Sequence, residues 1–194
     1  AGTVVRDRLH RTPGVFRLVA CKACGHVQLG SRLNERQLRA AYPAYYMAKG
    51  LTPRRPCTLR GRLMSNLIPR RLESARVKLV RRFAPLEPGV RLLDVGCGNG
   101  DFVEAVGRIS GAAAVGLEPD GDSVQRARTQ GREVRQGTLL DRRSWRPAEF
   151  ELLTMWHVLE HTADPIQELL AAREALKPGG HLFVVVPNHG GLGD

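Results

Sequence analysis

Val90-Arg91-Leu92-Leu93-Asp94-Val95-Gly96-Cys97-Gly98-Asn99-Gly100 decides the fold of this chain. A short apolar run ends in an acidic residue, and three glycines at alternate positions follow. The pattern predicts a buried strand feeding a tight turn that opens a helix. Glycine supplies the positive φ of such a turn and lets the backbone pass close to a nucleoside-containing ligand, where a larger side chain would block the approach.

Outward from this stretch the chain alternates strand and helix. Strand Val90–Val95 leads to helix Asp101–Ser110, and strand Ala113–Leu117 ends in Glu118-Pro119. A helix over Asp122–Gln130, a short strand Glu133–Gln136 and a strand Phe150–Met155 come next. Asp164 caps a helix that has Pro165 in its first turn and reaches Leu176. Lys177-Pro178-Gly179-Gly180 stops that helix, and the apolar His181–Val186 reads as a strand buried on both faces. The expected fold class is α/β, a Rossmann-like doubly wound sheet of mostly parallel strands. Ligands of such sheets sit beyond the carboxyl ends of the strands. Glu118, at one such end, is where an acidic residue accepts hydrogen bonds from ribose hydroxyls. The Gly-x-Gly-x-Gly spacing, lacking the Gly-x-Gly-x-x-Gly of pyrophosphate sites, argues for a nucleoside without a diphosphate bridge.

The region before Pro88-Gly89 differs in charge. Residues 1–88 hold 19 Lys/Arg against 4 Asp/Glu, a net +15, and residues 89–194 hold 11 against 15, a net −4. A basic front suits an anionic partner, whether nucleic acid, phosphorylated substrate, acidic carrier or membrane surface. Arg-rich composition spread over solvated faces is the other reading, and the one the scarcity of lysine favours. Cys21-Lys22-Ala23-Cys24-Gly25, flanked by Phe16, Leu18, Val19, Val27 and Leu29, has the shape of a zinc knuckle between two short strands. Cys21 and Cys24 are the metal candidates. A closed site needs four ligands, and Cys57, His10 and His26 lack second-knuckle spacing, so a further Cys pair is expected before Ala1. A redox pair is the other reading.

A helix is expected over residues 34–41, followed by the aromatics Tyr42, Tyr45 and Tyr46, which line an acceptor pocket or pack a domain junction. Residues 50–56 read as a linker, followed by basic helices over 59–68 and 70–83. The second presents Leu72, Ala75, Val77, Leu79, Val80 and Phe83 as one apolar face. The domains expected are 1–50, a partial zinc-binding segment; 51–88, linker and basic helices; and 89–194, a cofactor-binding domain. No run is long enough to span a bilayer and Ala1–Arg6 has no signal-peptide core, so a cytoplasmic location is expected.

Asp94–Gly100, Glu118, Trp156–His161 and Leu176–Gly180 together resemble a class I S-adenosylmethionine-dependent methyltransferase. The Cys-x-x-Cys segment, the Tyr cluster and His-Val-Leu-Glu-His resemble, more narrowly, the small-molecule members with an N-terminal zinc-binding segment. The resemblance implies S-adenosylmethionine, held at its methionine end by Asp94, Gly96, Cys97, Gly98, Asn99 and Gly100. Glu118 would hold the ribose, Pro119 would lie near the adenine, and Thr138 and Leu139 would approach the adenine edge. Trp156 and His157 would wall the pocket between cofactor and acceptor. A sixth and seventh strand of the family do not occur before Asp194, so an incomplete chain, five of seven strands, is expected.

Methyl transfer from a sulfonium requires alignment, and a base where the acceptor is a hydroxyl or acidic carbon. His157, His161 and Glu160 are the candidates, since imidazole titrates near neutrality; Glu160 and His161 as anchors of the next helix, or as ligands of a divalent metal, are alternatives. His157–His161 also matches His-x-x-Glu-His of zinc peptidases, but that chemistry needs a long helix. Cys97 reads as structural. The expected activity is methylation of a small-molecule acceptor such as a sugar, quinone precursor or natural-product scaffold, with an anionic acceptor suiting the basic front. A nucleic-acid methyltransferase and a catalytically incomplete cofactor-binding module are the competing classes.

Overall fold

The computed structural model describes residues 2–6, 15–30 and 71–188. The expected helix 34–41, the Tyr cluster, the helix 59–68, Cys57 and His10 lie outside them. The chain divides into two units, Ala1–Pro56 and Cys57–Asp194.

In the first unit, β1 (Gly2–Val5), β2 (Phe16–Ala20) and β3 (Val27–Leu29) form an antiparallel meander in that order. The pairing Ala20↔Val27 leaves Cys21–His26 as the β2–β3 connection. Cys21 N–H donates to His26 O (2.7 Å) and Gly25 N–H to Cys21 O (2.9 Å). Gly25 takes φ +74°, a left-handed conformation that glycine adopts without steric cost.

In the second unit, residues 71–81 form α1. There follow β4 (Arg91–Val95), α2 (Asp101–Ser110), β5 (Ala113–Glu118), α3 (Gly121–Thr129) and β6 (Val134–Gln136). Then come β7 (Phe150–Trp156), a 3₁₀ turn (Leu159–His161), α4 (Pro165–Ala175) and β8 (Leu176–Val185). The five strands are parallel in the order β6-β5-β4-β7-β8. Helical crossovers account for this: two parallel neighbours cannot be joined by a short hairpin. Chain progression runs outward from β4 through β5 to β6 on one side and through β7 to β8 on the other. The ends of β4 and β7 therefore flank the switch point where such sheets bind ligands.

Alternation along the strands builds two core layers. Leu92 and Leu152 face Val77, Val80, Phe102 and Val106, whereas Leu93, Leu153, Met155 and Phe150 face Ala171, Ala172 and Ala175. Each fully buried large side chain contributes about 1.5–3 kcal/mol. Helix ends are set by local chemistry: Asp120 Oδ2 accepts from Ser123 N–H, and Asp164 Oδ1 from the Ile166 and Gln167 amides. Either cap is worth about 1 kcal/mol.

Two expectations are corrected. Along α1 and the turn after it the buried positions are Glu73, Val77, Val80 and Ala84, while Leu72, Ala75, Leu79 and Phe83 stay exposed. At 100° per residue the six apolar residues span too wide an arc to meet one sheet face, and spacings of three and four select the first set. The last strand starts at Leu176 rather than His181. Leu176 pairs with Phe150 and His181 with Leu152, so the Lys-Pro-Gly-Gly segment is looped out as a bulge within β8. A Cβ on Gly180 would sit 2.9 Å from Lys177 O, so only glycine lets the chain fold back here. This strand is only partly buried, because β8 is outermost in the described sheet.

Candidate functional site

Immediately after β4 the chain turns through Gly96, Gly98 and Gly100, at φ +67°, +55° and +73°. Gly96 N–H donates to Leu117 O (2.7 Å), which ties the turn to the end of β5. A Cβ at Gly96 would lie 2.5 Å from Val158 Cγ2, so the segment after β7 rests directly on the turn. At Gly98 the same position is open, with nothing within 4 Å. The turn thus has one side packed and one side accessible, a backbone cradle of the kind that admits a ligand close to the main chain.

Two carboxylates flank it. Asp94 is 3% exposed, and Thr154 Oγ1 donates to its Oδ1 at 2.7 Å. Burial pushes its pKa up to about 7, against the opposing pull of the Thr154 hydrogen bond. Glu118 is 1% exposed; its Oε2 accepts from Gly98 N–H (2.8 Å) and its Oε1 from Asp120 N–H (3.0 Å). One carboxylate therefore binds together the loops after β4 and β5.

α1 brings a third group to the same end of the sheet. Arg76 Nη1 pairs with Glu73 Oε1 at 3.1 Å, and its guanidinium lies 4.9 Å from the Trp156 ring centroid. Burial raises the Glu73 pKa, opposed by Arg76. Glu73, Arg76 and Thr154 were not legible as site residues. Thr154 has a signal only once β7 is placed in register, where it stands opposite Asp94.

The remaining expected residues are distributed around this centre. Trp156 packs edge-on against Phe102 (5.5 Å) and beside Phe183 (5.2 Å), on the α1–α2 face of the sheet. Its buried Nε1 has no hydrogen-bond partner among the described residues. Asn99 and Pro119 are exposed, and Arg126 and Arg132 bond Asn99 through its side chain and its carbonyl. Leu139 is fully buried in the opposite layer and Thr138 is exposed beside it. Cys97 packs against Gly116 and Val134, and burial pushes its thiol pKa up, the condition of an inert cysteine.

His157 adopts φ +54°, a left-handed conformation costing of order 1–3 kcal/mol, while its N–H donates to Val185 O (2.8 Å). The 3₁₀ turn then gathers three titratable groups. His157 Nδ1 lies 3.5 Å from Glu160 Oε1, and His161 Nε2 lies 4.0 Å from the same oxygen. Val158, next to His157 in the chain, packs against Gly96 of the glycine turn. The motif occupies a strand end and a 3₁₀ turn, not the long helix a zinc peptidase requires. Cys21 and Cys24 are both exposed free thiols. Backbone N–H groups of Cys24 and Ala23 lower the Cys21 pKa, as in a turn that presents thiolate. Among the described residues no three His, Cys, Asp or Glu side chains converge as a metal site, at the cysteines or at Glu160 and His161.

Residues 68–191 match the model of a methyltransferase-domain family. A ubiquinone biosynthesis O-methyltransferase of Xanthomonas campestris is 36% identical over 106 residues, 52% of this chain and 44% of the relative. A protein of the same name from Vibrio atlanticus is 33% identical over 101 residues, covering 49% and 42%. The chain thus spans less than half the length of these curated relatives. Among solved structures, a SAM-dependent methyltransferase from Archaeoglobus fulgidus superposes with TM-score 0.50 at 25% identity, covering 61% of this chain and 53% of that one. The [4+2]-cyclase SpnF superposes with TM-score 0.52 at 26% identity, covering 57% and 44%. The glycine turn between two strand-end carboxylates, the β6-β5-β4-β7-β8 sheet and the family match over most of the chain lead to one assignment: this chain belongs to the class I S-adenosylmethionine-dependent methyltransferases.

Proposed function

We propose that the protein transfers a methyl group from S-adenosylmethionine to a hydroxyl-bearing small molecule, with an anionic acceptor suited to the basic front of the chain. The observation that carries this reading is the accessible side of Gly98 between Asp94 and Glu118. The named relatives, which are O-methyltransferases, favour an oxygen acceptor. S-adenosylmethionine, when bound, supplies a methyl group on a positively charged sulfur.

Gly96 to Gly100 and Asp94 would receive its methionine end, with Cys97 and Asn99 as part of that wall. Arg76 offers a cation for its carboxylate, and Asp94 with Glu73 offers carboxyl oxygens as acceptors for its ammonium. Glu118 would exchange its backbone partners for ribose hydroxyls, with Pro119, Thr138 and Leu139 toward the adenine. His157 is the base: Glu160, 3.5 Å from Nδ1, orients the imidazole so that Nε2 takes the acceptor proton. His161, on the other side of Glu160, supports the same carboxylate. The SpnF likeness makes this cluster important, because the fold also occurs under a cyclase name. Cys21 and Cys24 are assigned as two thiolate ligands of a structural zinc whose other ligands lie beyond the described residues. A cytoplasmic location completes the reading.

The test is calorimetric titration with S-adenosylhomocysteine, followed by transfer of labelled methyl to a panel of hydroxylated acceptors. One-to-one binding, weakened at least about tenfold by Glu118→Ala (roughly 1.4 kcal/mol), is expected. His157→Ala should leave that binding intact and lower turnover by about 10²–10⁴. Absence of binding overturns the reading. Binding without turnover on any acceptor reduces the chain to a cofactor-binding module.

A further inference from the structure

A second feature of the Cys57–Asp194 unit shares no residue with the glycine turn or the histidine cluster. Between β6, the start of β4 and the loop 137–149 runs a groove of about 710 Å³. Five arginines line it, Arg91, Arg128, Arg135, Arg143 and Arg146, against two carboxylates, Asp141 and Glu149. The volume falls in the range of ligand sites, but the lining is charged where small-molecule pockets are mostly apolar.

Part of the arginine cluster has a structural explanation. Glu149 accepts from Arg91 (2.8 Å) and Arg135 (3.0 Å), and its other oxygen accepts from the Arg146 amide (2.9 Å). Both guanidinium groups lie over the buried Phe150 ring, at 5.6 and 6.0 Å, which holds their planes. Asp141 pairs with Arg143 at 3.1 Å. Among the described residues Arg128 bonds a carbonyl, Val134 O. Neither Arg128 nor the Arg146 guanidinium has a carboxylate partner among the described residues. Arg135 also lies 4.0 Å from Glu133, and Arg143 is largely exposed. The groove lining itself holds three more cations than anions.

We propose that this groove binds a compact polyphosphate anion, at a site separate from methyl transfer. Guanidinium groups recognise phosphate oxygens in pairs, and a diphosphate or triphosphate carries enough negative charge to neutralise the excess. Confinement of the excess charge to one concavity walled by the 137–149 loop favours a compact anion over an extended backbone. The proposal does not depend on the methyl-transfer reading.

The test titrates the chain calorimetrically at low salt with sodium tripolyphosphate, and separately with a short single-stranded DNA. Saturable one-to-one binding of tripolyphosphate is expected. Arg143→Gln combined with Arg146→Gln should weaken it at least about tenfold, while S-adenosylhomocysteine affinity is unchanged. Arg81→Gln with Arg82→Gln, exposed charges at the end of α1, controls for net charge and should leave it unaltered. If the groove pair fails to fold, Arg146→Gln alone should weaken binding about threefold. Absent saturation, or equal loss in the α1 control, overturns the proposal. Tighter, groove-dependent binding of the DNA overturns it in favour of a nucleic-acid surface.

Discussion

The small sheet of β1–β3 and the parallel sheet of β4–β8 contrast in how each is held. No described residue of the small sheet is buried: Val4 is 60% exposed and Leu29 39%. Its register rests on ladder hydrogen bonds and on the turn at Cys21–His26. In the parallel sheet Leu92, Leu93, Leu117, Leu152 and Leu153 are essentially inaccessible, with helices on both faces. Small sheets without a packed face are marginal in water and gain stability from metals or partners, whereas layered domains stabilise themselves. The chemistry follows the same division: the parallel sheet carries a positioned site, and the small sheet carries two exposed free thiols in its β2–β3 connection.

The contrast is broken most directly by paired truncations. Leu93→Ala should cost about 2–5 kcal/mol in urea unfolding, and Leu29→Ala no more than about 0.5 kcal/mol. Equal losses would show that the small sheet has a core of its own.

Next in size is a pH effect confined to the parallel sheet. Asp94 titrates at about 7 in the folded chain, above its ordinary value of 3.8. The folded state therefore holds a proton that the unfolded state has released, so this group's contribution is present below pH 4 and is lost as pH rises toward 7. The slope is at most about 1.4 kcal/mol per pH unit. Urea unfolding between these limits should show wild type losing stability relative to Asp94→Asn as pH rises. A constant difference would mean Asp94 is ionised throughout.

Gly96→Ala and Gly98→Ala sharpen the reading of the turn. Both impose a left-handed conformation on alanine, at about 1–2 kcal/mol. Only Gly96→Ala also drives a Cβ into Val158, so it should lower Tm further, whereas at Gly98 the methyl fills the ligand's side and the larger loss is in S-adenosylhomocysteine affinity. Reversed effects would place the ligand elsewhere. The smallest expected change comes from Cys24→Ser. It should lower zinc content measured by mass spectrometry while leaving the main thermal transition of the parallel domain within a degree or so (about 0.5 kcal/mol at most). Unchanged zinc content would remove the metal assignment.

Legibility followed how local the cause was. Helix α2 was readable to its ends because Gly100 and Gly111 bound it, and α4 because Asp164-Pro165 starts it. The face of α1 was not, since apolar residues occur around most of that helix and only the sheet beneath selects Val77 and Val80. Lys177–Gly180 carries stop signals for a helix, and the ladder with β7 absorbed them as a bulge instead. Similarly, Glu118 is legible from its place at a strand end, while Arg76 has no sequence signal and Thr154 gains one only from the register of β4 with β7.

By itself the sequence determined the alternating architecture, the glycine turn, the two strand-end carboxylates and hence the family, because each is written within a few neighbouring residues. Tertiary structure alone decided what surrounds them. It set Thr154 against Asp94 across sixty residues, brought Glu73 and Arg76 to the end of β4, seated Val158 on Gly96 and gathered five arginines into one groove. Those contacts depend on strand register and helix packing, which arise only when the whole sheet is assembled.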